Sequence, residues 1–263
     1  MRGRVLPLSR PRRLIGDLMH FSSGVPTIPV QRRMDLTQLM VARKEHPDRP
    51  SWSAIFAKAF ALVAAGYPEL RRAYCKIPWP HLYEYPVSVA TIMVERQYEG
   101  EPAMFALRVK DPASRPLAEI SQLVRHAATA PVNELKSFRL AMQICGWPRP
   151  FRRMLWWLGL NLGRQRANYF GTFSVTVYSS LGAESLHPLS PLTATLNYGV
   201  IAPDGMVDVR LVYDHRVLDG ATVARALAQL EQVLSTEISV ELAHPFRECV
   251  SQPASLDLIG RTA

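Results

Sequence analysis

Between residues 51 and 65 the apolar side chains Trp52, Ile55, Phe56, Ala59, Phe60, Leu62 and Val63 return at intervals of three and four, with Pro50 before them and Ser51 placed to cap. That period predicts an amphipathic helix, which Gly66, Tyr67 and Pro68 stop. Residues 116–128 repeat it, with Leu117, Ile120, Leu123 and Val124 on one side. A different pattern fills residues 87–94 and 103–109, which are nearly continuous in hydrophobicity and joined through Glu99-Gly100-Glu101, a turn-forming stretch. These read as a strand pair. Residues 172–178, 193–201 and 207–213 read as three further strands, the last two a hairpin turning at Asp204-Gly205, and residues 222–234 as a closing helix. This mixed order predicts an α+β fold of sheet and packed helices rather than a doubly wound one.

Composition bounds the picture without deciding it. With 263 residues, 48% hydrophobic and 20% charged, and no linker-like stretch, the chain is expected to form one large domain. The net charge of +9 points to an anionic partner: a phosphate-bearing cofactor, a membrane surface or nucleic acid. Nucleic acid ranks last, because no recognised binding motif accompanies the charge. Cys75, Cys145 and Cys249 lie far apart with no ligand spacing, so neither a metal site nor a disulfide framework is expected. No apolar run suits a signal peptide or a membrane span, which makes a cytoplasmic location the default expectation.

The chemistry concentrates near the C-terminal end. The strand ending at Tyr213 delivers Asp214 and His215 into a turn, after which Asp219-Gly220 opens a helix. A histidine fixed between two rigid elements is well placed to face a cleft, and a neutral imidazole can take a proton from a thiol, hydroxyl or amine. Asp219 is the candidate for holding this loop, and Gly220 for permitting a tight backbone there.

The run Asp214-His215-Arg216-Val217-Leu218-Asp219-Gly220-Ala221 resembles the catalytic core of the dihydrolipoamide acyltransferases of 2-oxoacid dehydrogenase complexes. The chloramphenicol acetyltransferases share its shorter His-x-x-x-Asp-Gly form. A second stretch, Gly171-Thr172-Phe173-Ser174-Val175-Thr176, is similar to the family's Gly-Thr-Phe-Thr-Ile-Ser strand. The resemblance implies that Thr176 inherits the hydroxyl that meets the oxyanion, with Ser179 or Ser180 as the donor under a shifted register. Residues 9–15 with Met19 resemble the family's opening helix, which makes Arg12 a candidate partner for Asp219, with Arg13 or Arg10 as alternatives. Residues 57–70 resemble its helix ending in Val-Pro-Glu-Leu.

The resemblance implies a two-layer chloramphenicol acetyltransferase-like sandwich, assembled as a trimer, with His215 of one subunit facing Thr176 of the next. It also implies acyl transfer from a thioester, with coenzyme A or acyl-CoA as substrate and no metal. Because the chain opens on the core itself, no covalently attached lipoyl group is expected, and a lipoyl domain would act in trans. The catalytic domain is expected over residues 1–243. Within it residues 146–170 depart from the family, interleaving Trp147, Phe151, Leu155, Trp156, Trp157, Leu158 and Leu160 with Arg149, Arg152, Arg153, Arg164 and Arg166. Such a segment can pack as an extra helix, lie on an anionic membrane, or offer its arginines to coenzyme A phosphates. The polar tail of residues 244–263 favours an isolated trimer over a larger shell.

Overall fold

The computed structural model describes residues 3–178 and 182–243. The tail at residues 244–263, and Ser179 and Ser180, lie outside the described residues. Ser9 caps α1 (Arg10–Ser22), its Oγ accepting from the Arg12 amide at 3.3 Å, with Pro11 in the first turn. Then come β1 (Thr27–Asp35), α2 (Thr37–Glu45) and α3 (Trp52–Gly66), the last capped by Ser51 as its sequence predicts. A 3₁₀ turn (Pro68–Arg71) leads to β2 (Arg72–Cys75) and β3 (His81–Glu84), which pair as a small antiparallel ribbon. The hairpin β4 (Val89–Tyr98) and β5 (Glu101–Lys110) turns at Glu99 and Gly100, both at positive φ, the conformation that a two-residue hairpin loop requires. Four helices follow: α4 (Leu117–Thr129), α5 (Lys136–Cys145), α6 (Arg149–Asn161) and α7 (Gly163–Phe170). The chain closes through β6 (Phe173–Thr176), β7 (Ala194–Tyr198), β8 (Met206–Asp214), α8 (Gly220–Val233), a π turn (Leu234–Ile238) and α9 (Ser239–Ala243).

The main sheet has the order β1-β8-β7-β6-β4-β5. β6 runs parallel to both β4 and β7, and the other pairs are antiparallel, so the sheet is mixed within an α+β fold. Its two faces differ. Phe173, Val175, Leu196, Tyr198, Val209, Leu211 and Tyr213 point to one side, where α3 and α8 cover them. Phe56 stacks on Tyr198 with centroids 4.2 Å apart, and Phe60 meets Phe173 at 4.7 Å. The alternate residues Ser174, Thr176, Thr195, Asn197 and Arg210 point to the other side, and it is polar.

β1 is not visible in the sequence pattern. Gln31, Arg32 and Arg33 break its hydrophobic alternation, yet it pairs along its whole length with β8. An edge strand tolerates that chemistry, including Pro29. α8 starts at Gly220, two residues earlier than the hydrophobic pattern suggests, because the Asp219 carbonyl already accepts from the Val223 amide.

Gly171 joins α7 to β6 at φ 88°, and a Cβ there would lie 2.2 Å from Thr91 Oγ1 and 2.9 Å from the Val89 carbonyl. Gly171→Ala is therefore expected to cost about 2 kcal/mol or more, measured as a fall in the urea midpoint with an unchanged slope.

Candidate active site

The turn after β8 is built around a buried carboxylate. Asp214 is 1% exposed. Its backbone amide donates to the Thr193 carbonyl, and its own carbonyl accepts from the amides of Val217 and Leu218. Its side chain takes three donors from Arg216: the backbone amide at 3.0 Å, Nε at 2.9 Å and one terminal nitrogen at 2.7 Å. The guanidinium in turn lies over the Tyr74 ring, 4.4 Å from its centroid. This clamp leaves the intervening side chain, His215, facing solvent.

The imidazole is anchored at one nitrogen. Nδ1 lies 3.0 Å from the Leu218 carbonyl oxygen, which can only accept, so Nδ1 carries a proton and, in the neutral ring, Nε2 presents a lone pair. The backbone amide of His215 donates to the Pro26 carbonyl at 3.0 Å, and the ring meets Tyr213 edge-on at 5.7 Å. This is the tautomer and the anchoring that a general base needs.

Asp219 is the N-cap residue of α8 but makes no side-chain capping bond. Its charge lies near the buried Tyr213 hydroxyl, whose pKa is raised by burial first and by Asp219 second. Among the described residues it forms no ion pair. Arg12 is exposed on α1, a helix that packs on α5, α6 and β5 at the far end of the strand order from β8, so within one chain the structure does not bring it to Asp219. Gly220 also differs from expectation. It takes no left-handed conformation, and a Cβ would meet only the Tyr213 hydroxyl at 3.4 Å, so the tight backbone expected there is absent.

Thr176 ends β6 on the polar face, 7% exposed. Its carbonyl accepts from Asn197 Nδ2 at 2.8 Å, and its hydroxyl forms no hydrogen bond with a described residue. It does not share a site with His215 in the same chain. Tyr213 lies opposite Ala194 and Ala194 opposite Phe173, whereas Thr176 lies opposite Asn197 and Asn197 opposite Arg210. The two residues are thus at opposite ends of the strands, about 15 Å apart along them and about 10 Å across.

Two of the arginines expected to be free for phosphates are committed elsewhere. Arg152 is buried in a bidentate pair with Asp17 of α1, at 2.7 and 3.2 Å. Arg166 is buried and donates to the carbonyls of Tyr74, Leu160 and Pro191. Both serve packing because a buried guanidinium must satisfy its donors. Trp156 also packs inward, between Phe21 and Phe170, while Trp157 stays half exposed.

Sequence reasoning missed the support of the polar face. Arg210 of β8 donates to Gln31 at 2.6 Å and to Glu184 at 2.9 Å, tying the segment after β6 to the sheet. Residues so far apart in sequence leave no local signal.

Residues 171–242, which span β6 to α9 and hold both Thr176 and His215, match the family profile of the 2-oxoacid dehydrogenases acyltransferase (catalytic domain). Over these residues the chain is similar to that family. Structures with this acyltransferase fold extend the likeness over almost the whole chain. A probable dihydrolipoamide acetyltransferase from Listeria monocytogenes is 17% identical, with 95% of this chain and 98% of that one covered and a TM-score of 0.63. A dihydrolipoamide acetyltransferase from Azotobacter vinelandii is also 17% identical, with 91% and 94% covered and a TM-score of 0.63. A serine, a histidine and an asparagine four residues after the histidine have been studied for their role in its catalytic mechanism. A chloramphenicol acetyltransferase is 14% identical, with 89% and 100% covered and a TM-score of 0.51. At these identities the likeness is one of fold. No curated protein matches the chain.

Two outcomes are expected at this site. Long-range proton–nitrogen NMR of the neutral His215 ring should show Nδ1 protonated and Nε2 bare, and Asp214→Ala should blur that preference by loosening the turn. The Glu184 carboxyl is held below the usual glutamate range by its hydrogen bond from Arg210, helped by the Val200 amide. A lowered folded-state pKa gives stability that is present above the ordinary glutamate value and lost as pH falls through the folded one. Glu184→Gln should flatten that acid limb of stability, followed by thermal melts from neutral pH downward.

Proposed function

We propose that the protein is an acyltransferase in which His215 Nε2 removes the proton of a nucleophile that attacks a thioester carbonyl. The observation that carries the reading is the Nδ1 anchor on the Leu218 carbonyl, which in the neutral ring turns the Nε2 lone pair outward. The Thr176 hydroxyl donates to the developing oxyanion, a contribution worth about 3 kcal/mol where such a donor is preorganised. Collapse of the tetrahedral intermediate expels the thiolate, which takes the proton from the imidazolium.

Acyl-CoA is the donor in this reading, and the acceptor is a thiol, hydroxyl or amine. The separation of His215 from Thr176 along the sheet supports an assembly, read as a trimer, in which the base of one subunit meets the hydroxyl of its neighbour. Residues 1–243 form the catalytic domain in this reading, with residues 146–170 as its divergent part. Asp219 stands four residues after His215, the spacing of the histidine and asparagine studied in the Azotobacter enzyme, and orders the His215 loop at the start of α8.

The test is release of free coenzyme A from a panel of acyl-CoAs. His215→Ala should lower kcat about 10²–10⁴-fold and Thr176→Val about 10²-fold, with little change in KM for the donor. Co-expressing the two inactive variants should restore activity at roughly a quarter of the sites, because mixed assemblies rebuild intact interfaces. Full activity in His215→Ala would overturn the base, and no recovery on mixing would overturn the shared site. Acylation of dihydrolipoamide in preference to all other acceptors would assign the transfer to a lipoyl domain supplied in trans.

A further inference from the structure

Unlike an ordinary surface helix, α6 carries apolar residues on its outward side as well as its inward one. Its inward side carries Arg152 in the pair with Asp17, Trp156 between two phenyl rings, and Gly159 against Phe170. Its outward side carries Phe151, Met154, Leu155 and Leu158, one stripe at helical spacing that Trp147 and Leu162 extend at either end. Phe151 is 57% exposed, Met154 56% and Trp147 50%, so this is a contiguous apolar surface rather than scattered contacts.

The surroundings of the stripe are cationic. Residues 136–170 contain no Asp or Glu, and residues 3–26, which include the neighbouring α1, contain only Asp17, already buried in its ion pair. Arg149 on α6 itself, Arg164 on the adjoining α7, and Arg10 and Arg12 on α1 are exposed. A second copy of this face would bring the same unopposed positive charge, which disfavours self-association through it. An occupant must combine an apolar layer with negative charge, and exposed indoles such as Trp147 and Trp157 suit the boundary between the two.

We infer that the outward face of α6 docks on an anionic lipid bilayer, with Phe151, Met154 and Leu155 entering the acyl boundary and the arginines meeting the headgroups. The inference stands apart from the acyltransferase reading, since His215→Ala is expected to bind vesicles as the unaltered protein does.

The test is flotation of the whole protein with phosphatidylcholine vesicles, with and without about a third phosphatidylserine. The protein should float with the anionic vesicles and not the neutral ones, and should detach as salt is raised. The triple variant Phe151→Ser/Met154→Ser/Leu155→Ser should bind at least about tenfold more weakly while keeping its melting temperature, because none of the three residues is in the core. Equal binding to neutral vesicles, or undiminished binding by the triple variant, would overturn the proposal. So would a wild type that ignores vesicles while the triple variant changes sedimentation coefficient, an outcome that would make the stripe a subunit contact.

Discussion

Asp214 occupies the point where the sheet, the turn and the following helix all meet. Its amide closes the last bond of β8 to the segment before β7, its carbonyl starts the turn, and its carboxylate holds Arg216. A buried carboxylate without those donors would cost several kcal/mol, so the turn and the charge require each other. The imidazole direction is a by-product of this arrangement: with residues 214 and 216 clamped, the side chain between them has one way to point, and the Leu218 carbonyl fixes its ring.

The two faces of the sheet divide its side chains between the core and a polar surface. Covering the apolar face with α3 and α8 uses the hydrophobic residues of every central strand, which leaves Ser174, Thr176, Asn197 and Arg210 on the other side. Those groups are partly satisfied within the chain, Ser174 by Thr195 and Arg210 by Glu184, while the Thr176 hydroxyl has no partner among the described residues.

Much of this was legible in the sequence where local rules govern. The α3 period and its Ser51 cap, the hairpin at Glu99-Gly100, and the strand delivering His215 follow from periodicity and turn chemistry. β1 was hidden because an edge strand needs no hydrophobic alternation. The inward roles of Arg152 and Arg166 were hidden because a charge run usually marks a solvated face, and only the third dimension supplies Asp17 and the three carbonyls that draw these residues in. Gly220 misled in the opposite direction: a glycine beside a motif suggests an unusual backbone, and here it is an ordinary helical residue.

The buried pair of Arg152 with Asp17 has a consequence for how the protein behaves in water. Rolling α6 over to hide Phe151 and Met154 would pull a desolvated ion pair apart and drag Trp156 out from between two rings, so the helix is locked with its greasy side outward. The molecule cannot sheathe that side by a local rearrangement. Repulsion between the arginines of separate molecules opposes contact through that side, and a rise in ionic strength that screens it brings the uncovered ridges within reach of one another.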